Sequence, residues 1–150
     1  LKRSEAKALI DTYYETYPKL KDYIQKQTAY ARENGYVETV LGRRRYLKDI
    51  NSRNAVVRGA SERNAVNAPI QGSAADIIKI AMINIADILK SQKLKSKMLL
   101  QVHDELVFDA HKDEIDILSK IIKHEMENAF KLSVPLDVEI GIGNNWLEAH

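Results

Sequence analysis

The sequence predicts an α+β fold in which helices pack on one face of a small antiparallel sheet and a mainly helical portion comes first. Three observations predict it. Long segments repeat apolar residues at helical spacing, two short apolar runs (98–102 and 106–108) flank only three polar residues, and Leu136, Val138, Ile140 and Ile142 alternate at the period of a strand. The 150 residues, 45% hydrophobic and 29% charged, suit a compact domain or a piece of a larger protein and exclude a disordered tail. No apolar stretch reaches the ~18 residues of a membrane span. The sequence has no Cys, which excludes disulfides, thiolate metal sites and thiol nucleophiles. With no secretory signal at its start, this favours a reducing, intracellular setting. The first residue is Leu1 rather than Met, so the sequence reads as a segment of a longer protein.

Taken in order, Ser4 is a candidate N-cap for a helix carrying Ala6, Leu9, Ile10, Tyr13, Tyr14 and Tyr17 at helical spacing. Pro18 stops that helix and opens a second, with Leu20, Tyr23, Ile24, Gln27 and Ala31 on one face and Asn34-Gly35 as its end. Residues 36–41 and 43–47 read as an irregular hairpin turning at Gly42. Ser52 is the expected cap of a third helix running to about Asn67, ended or kinked by Pro69. Gly72 is expected to break the chain, and Ser73 with Asp76 resembles a capping box before a helix to about Leu89. That helix is apolar on most sides and is expected to be central and buried. A hairpin with His103, Asp104 and Glu105 at its tip follows, its apolar flanks reading as buried strands. An amphipathic helix presents Ile115, Leu118, Ile122, Met126, Ala129 and Phe130, and 136–142 is the expected last strand.

Charge is distributed unevenly. Residues 19–68 carry 11 Lys/Arg against 5 Asp/Glu, whereas 101–150 carry 4 against 11, so one part suits polyanions and the other cations. At the tip, the adjacent carboxylates of Asp104 and Glu105 are either solvated turn residues or ligands of a hard cation such as Mg²⁺, which takes one or two carboxylates with waters and phosphates. Arg63, Asn67 and Gln71 recur every fourth residue and form either a solvated polar face or a row of donors for the minor groove, where every base pair presents acceptors. Arg43, Arg44, Arg45, Lys48, Arg53 and Arg58 are ordinary basic surface or phosphate contacts. Ser73 lacks a nucleophile elbow and reads as a cap, the tyrosines 13, 14 and 17 read as packing, and Gly141 with Gly143 lack the third glycine of a dinucleotide loop.

Several of these stretches together carry a resemblance. Leu99-Leu100-Gln101-Val102-His103-Asp104-Glu105-Leu106-Val107 resembles motif C in the palm of family A DNA polymerases, of the bacterial DNA polymerase I type. Residues 62–76, from Glu62-Arg63-Asn64 through Pro69-Ile70-Gln71-Gly72 to Asp76, are similar to the segment entering the family's central palm helix. Gly35-Tyr36-Val37-Glu38-Thr39 with Leu41-Gly42-Arg43-Arg44-Arg45-Tyr46 resembles its fingers, and Val134-Pro135-Leu136 with Trp146 its C-terminal end. The resemblance implies the last part of the fingers in 1–51 and the C-terminal part of the palm in 52–150. It implies Asp104 as a ligand of two catalytic Mg²⁺ ions and Glu105 as a supporting carboxylate. It also implies that Arg43, Arg58, Arg63, Asn67, Gln71 and His103 lie along primer-template DNA, with deoxynucleoside triphosphates as substrates. The family's motif A, which carries the other metal-binding aspartate, and its nucleotide-holding fingers helix have no counterpart in the sequence. The segment by itself is therefore expected to be inactive, its remaining domains lying N-terminal to it in a bacterial cytoplasmic, nucleoid-associated enzyme. A noncatalytic nucleic-acid-binding module on a palm scaffold and a metal-dependent phosphoesterase are the alternatives.

Overall fold

A computed structural model describes residues 2–150, which form two compact units, one up to residue 73 and one over 74–150. In the first, helices α1 (Arg3–Thr16) and α2 (Pro18–Asn34) are followed by the short strands β1 (Tyr36–Glu38) and β2 (Arg44–Tyr46). Helix α1 starts one residue before Ser4, and the Glu5 carboxylate accepts from the Lys2 N–H at 3.0 Å, doing the capping that Ser4 was expected to do. Pro18 opens α2 as expected, and Gly35 ends it in the left-handed conformation, φ 77°. The strands pair antiparallel, Tyr36 opposite Tyr46 and Glu38 opposite Arg44. Ala31, Val37, Leu47, Ile50, Ala65 and Ala68 make one buried cluster. Its three alanines let helices approach closely, while burying Val37, Leu47 and Ile50 contributes about 1.5–3 kcal/mol each. The apolar stripe of α1 is not part of that core: no residue of α1 is buried, and Tyr13 packs edgewise against Tyr14 and at a tilt against Tyr17.

Helix α3 (Ala55–Ser91) replaces the two helices expected from sequence. It is capped by Asn54, whose Oδ1 accepts from the Val56 N–H at 3.0 Å, whereas Ser52 accepts from the Asn54 N–H at 3.2 Å one step earlier. Pro69 and Gly72 both lie inside it. An interior proline costs about 3 kcal/mol, because it removes one hydrogen bond and crowds the preceding turn. Side chains take up carbonyls on either side of the lesion: the Tyr23 hydroxyl donates to Val66 O at 3.2 Å and the Ser73 hydroxyl to Pro69 O. Ser73 is thus not a cap. Its Oγ also accepts from the Val40 N–H at 2.9 Å, tying the hairpin loop to the helix. Gly72 is not a break either, because a Cβ there would stand 2.6 Å from the Thr39 methyl. It is a place where loop and helix touch.

In the second unit, the end of α3 continues to β3 (Lys97–Val102), β4 (Glu105–Asp109), a 3-10 turn (Lys112–Glu114), α4 (Ile115–Glu127) and the short α5 (Trp146–Ala149). Ile85, Leu89 and Leu118 are buried together, with Leu94, Leu106, Phe108, Ile122 and Met126 packed against them. The expected burial of α3 holds for one face only: Ile78, Ala81, Ile85 and Leu89 are buried, but Ile83 is 61% exposed. Helix α4 ends before Ala129 and Phe130, at a turn where Asn128 Nδ2 donates to His124 O at 2.8 Å. The alternating stretch 136–142 forms no strand among the described residues, and the hairpin β3–β4 is a sheet of two. Alternation supplies an amphipathic edge, but a strand also needs a hydrogen-bonded neighbour. The α+β class stands; the C-terminal strand does not.

Candidate functional site

Val102 pairs with Glu105, so His103 and Asp104 alone make the turn and Glu105 is the first residue of β4 rather than part of the tip. His103 adopts φ 54°, a conformation that costs a non-glycine residue roughly 1–2 kcal/mol. The Gln101 side chain steadies it by donating to His103 O at 2.8 Å. Asp104 is exposed, and no hydrogen bond or ion pair engages its carboxylate among the described residues. Glu105 is half-buried, with Oε1 3.0 Å from His150 Nδ1. The flanking runs are not buried strands as expected. Leu106 and Phe108 face the α3–α4 core, but Leu99 is 57% and Leu100 44% exposed, with an irregularity in the ladder between Met98 and Leu100. A two-stranded hairpin offers the core one face, and helices cover only that one.

No cluster of three or more His, Asp or Glu side chains able to enclose a cation exists among the described residues. The Asp104 carboxylate at the turn and the Glu105 carboxylate at the start of β4 are hard oxygen donors that fit part of a Mg²⁺ shell, which needs only one or two protein carboxylates.

On the other compact unit, Arg63, Asn67 and Gln71 all stand on the exposed face of α3, and the helix continues through Pro69 so that Gln71 stays in the row. Arg58 is tethered: its Nη1 donates to Ser52 O at 2.9 Å and its Nε lies 3.5 Å from Glu62 Oε1. Glu62 also takes Arg32 Nη2 at 2.6 Å. Arg43 reaches back to α3, donating from Nη2 to Gly72 O at 3.1 Å. Arg44 pairs with Glu38 at 2.8 Å and lies 4.4 Å over the Tyr36 ring. The hydrogen bond to Glu38, and after it the nearby Tyr36, raise its pKa further. Glu62 and His150 escaped the sequence reading. Glu62 was legible as the i+4 partner of Arg58; His150 carried no local signal.

The family model for DNA polymerase family A matches residues 1–148. The chain belongs to this family. Among curated relatives of this family A segment, DNA polymerase I of Caldicellulosiruptor bescii is 53% identical over 148 residues, covering 99% of the chain and 17% of the relative. DNA polymerase I of Bacillus subtilis is 50% identical over 147 residues, covering 98% and 17%. Among solved structures, the POL domain of Pol1 from M. smegmatis, in complex with DNA primer-template and dNTP, superimposes with a TM-score of 0.97 at 47% identity. That match covers 99% of the family A segment and 26% of the solved chain. The segment therefore spans about one-sixth of the length of the curated relatives it matches.

Proposed function

We propose that the chain is the C-terminal fingers and palm portion of a DNA-directed DNA polymerase, which adds deoxynucleotides to a primer 3′ hydroxyl under the direction of a template. The observation that carries this reading is the family match over 1–148, with an unengaged Asp104 carboxylate at the hairpin turn within it. Residues 1–51 are assigned to the fingers and 52–150 to the palm.

In this reading Asp104 holds metal at the primer end, and Glu105 supports it from the first position of β4. Two Mg²⁺ ions, when bound, supply activation of the 3′ hydroxyl and neutralise charge on the leaving pyrophosphate. Arg63, Asn67 and Gln71 donate to minor-groove acceptors, which are present in every correct pair, so geometry is tested without reading sequence. Arg43, Arg58 and His103 contact the primer-template, the two arginines through its sugar-phosphate backbone. The second metal-binding aspartate and the nucleotide-holding helix come from polymerase domains N-terminal to this segment. In this reading the enzyme works in the bacterial cytoplasm, at the nucleoid, a reading that the bacterial relatives support. No helix of the described residues is long and apolar enough to cross a membrane.

Primer extension tests the reading. The intact polymerase should extend a primer in Mg²⁺, and Asp104→Asn should lower its turnover by about 100-fold or more while leaving DNA affinity intact. The 150 residues alone should extend nothing. Near-normal turnover by the Asn variant, or templated extension by the segment, would contradict the assignment.

A further inference from the structure

The stretch 141–150 takes no part in the roles proposed above, yet it ends against the hairpin. His150 Nδ1 lies 3.0 Å from Glu105 Oε1. A carboxylate oxygen only accepts, and the neutral imidazole can present an N–H to it from Nδ1. A local frame presents the imidazole. Asn145 caps α5 by accepting from the Glu148 N–H at 3.1 Å, and Glu148 in turn takes the Asn144 N–H at 2.9 Å and the Asn145 amide at 2.8 Å. These donors, the Asn144 N–H foremost, hold the Glu148 carboxyl below its usual range. The frame closes because Gly141 and Gly143 have no side chains. A Cβ on Gly141 would run into the Ala149 carbonyl, and one on Gly143 into Glu148 and the Ala149 backbone. The two glycines that make no dinucleotide loop thus let the stretch 141–150 fold back on itself.

We infer that His150 is a positioning residue for Glu105: the folded-back stretch 141–150, locked by Gly141, Gly143 and Glu148, holds the Glu105 carboxylate in one orientation next to Asp104 in the chain. The inference rests on the polymerase reading of the tip. The strand fixes the Glu105 backbone, but its side chain is long and its carboxylate half-exposed, so several rotamers are open to it. Contact with His150 selects one. A carboxylate next to a metal ligand acts only if its own orientation is held, and residues that hold it matter nearly as much as the ligand. A role limited to pinning the chain end would not care which way Glu105 points.

Single-turnover extension by the intact polymerase separates these outcomes. Failure of the unaltered enzyme to extend a primer overturns the polymerase reading, and this inference with it. Given an active enzyme, His150→Ala should lower the maximal rate of nucleotide addition by about 10-fold without weakening primer-template binding. His150→Gln, whose amide can donate to Oε1, should recover most of that loss. In a Glu105→Gln background, His150→Ala should add little, because the group it orients is already altered. A crystal structure of the metal-free His150→Ala enzyme should show Glu105 in another rotamer. An unchanged rate, losses that multiply across the two backgrounds, a Gln variant no better than Ala, a loss confined to DNA affinity, or an unmoved Glu105 would each overturn the assignment.

Discussion

Gln71 carries no charge and stands exposed on α3, one turn beyond Asn67 and beside the glycine that admits Thr39. A contribution to DNA binding from such a side chain is a directed hydrogen bond, worth about 0.5–1.5 kcal/mol, which salt hardly screens. In the intact polymerase, Gln71→Ala should slow extension from a matched primer end by about 2- to 10-fold and leave the salt dependence of binding unchanged. From a mismatched end, where the acceptor is displaced, the loss should shrink. Equal fractional losses on matched and mismatched primers, measured in single turnover, would show that Gln71 does not sense pair geometry. At this scale the sequence was a good guide to which polar side chains face solvent, Arg63, Asn67, Gln71 and Asp104 among them, but not to which apolar ones do. It was a poor guide to which are already engaged: Arg58 and Arg43 sit in the same basic set as Arg45 and Arg53, but only the folded chain shows them donating to Ser52 and Gly72.

Among elements, the junction between α3 and β3 depends on one carboxylate. Glu114 accepts from the Lys95 N–H at 2.9 Å and from the Ser96 N–H and hydroxyl at 2.9 and 2.7 Å. The Lys95 N–H foremost, then the Ser96 hydroxyl, lower its pKa from 4.5 to about 2. Because the folded value is depressed, the stabilisation is complete above pH 4.5 and is lost as pH falls from there toward about 2. Protection of the Lys95 and Ser96 amides from hydrogen exchange, corrected for intrinsic rate, should fall through that window. Glu114→Gln should show low protection already at neutral pH and no matching acid step; an identical acid step in the variant would assign the loss to another group. Elements with internal periodicity (α1, α2, α4, β3 and β4) were legible to within a few residues. The stretch 67–73 was misread, because Pro69 and Gly72 punctuate a chain locally, whereas the contacts that hold this part of the helix, Tyr23 to Val66, Val40 to Ser73 and Thr39 against Gly72, come from residues distant in sequence. Residues 136–142 were misread for the converse reason, since alternation was present but a partner strand was not.

For the whole molecule, the α+β class and the exposed position of Asp104 were readable from pattern alone, while the meeting of Glu105 with His150 was not, since nothing in either residue's neighbourhood points to the other. In the second unit the core is one-sided, with Ile83, Leu99 and Leu100 left in solvent. Strand β3 is left open in the same way. Among the described residues it has one neighbour, β4, which leaves its outer edge without a partner strand, and 98–102 contains neither a charge nor a proline to deter a second chain. Separated from the rest of a polymerase, the 150 residues should therefore aggregate edge to edge as concentration rises, with light scattering climbing steeply above a threshold. Leu99→Lys, which places a gatekeeping charge on that edge, should move the threshold upward; a threshold that stays put would locate the adhesive surface elsewhere, for instance on the open stripe of α1.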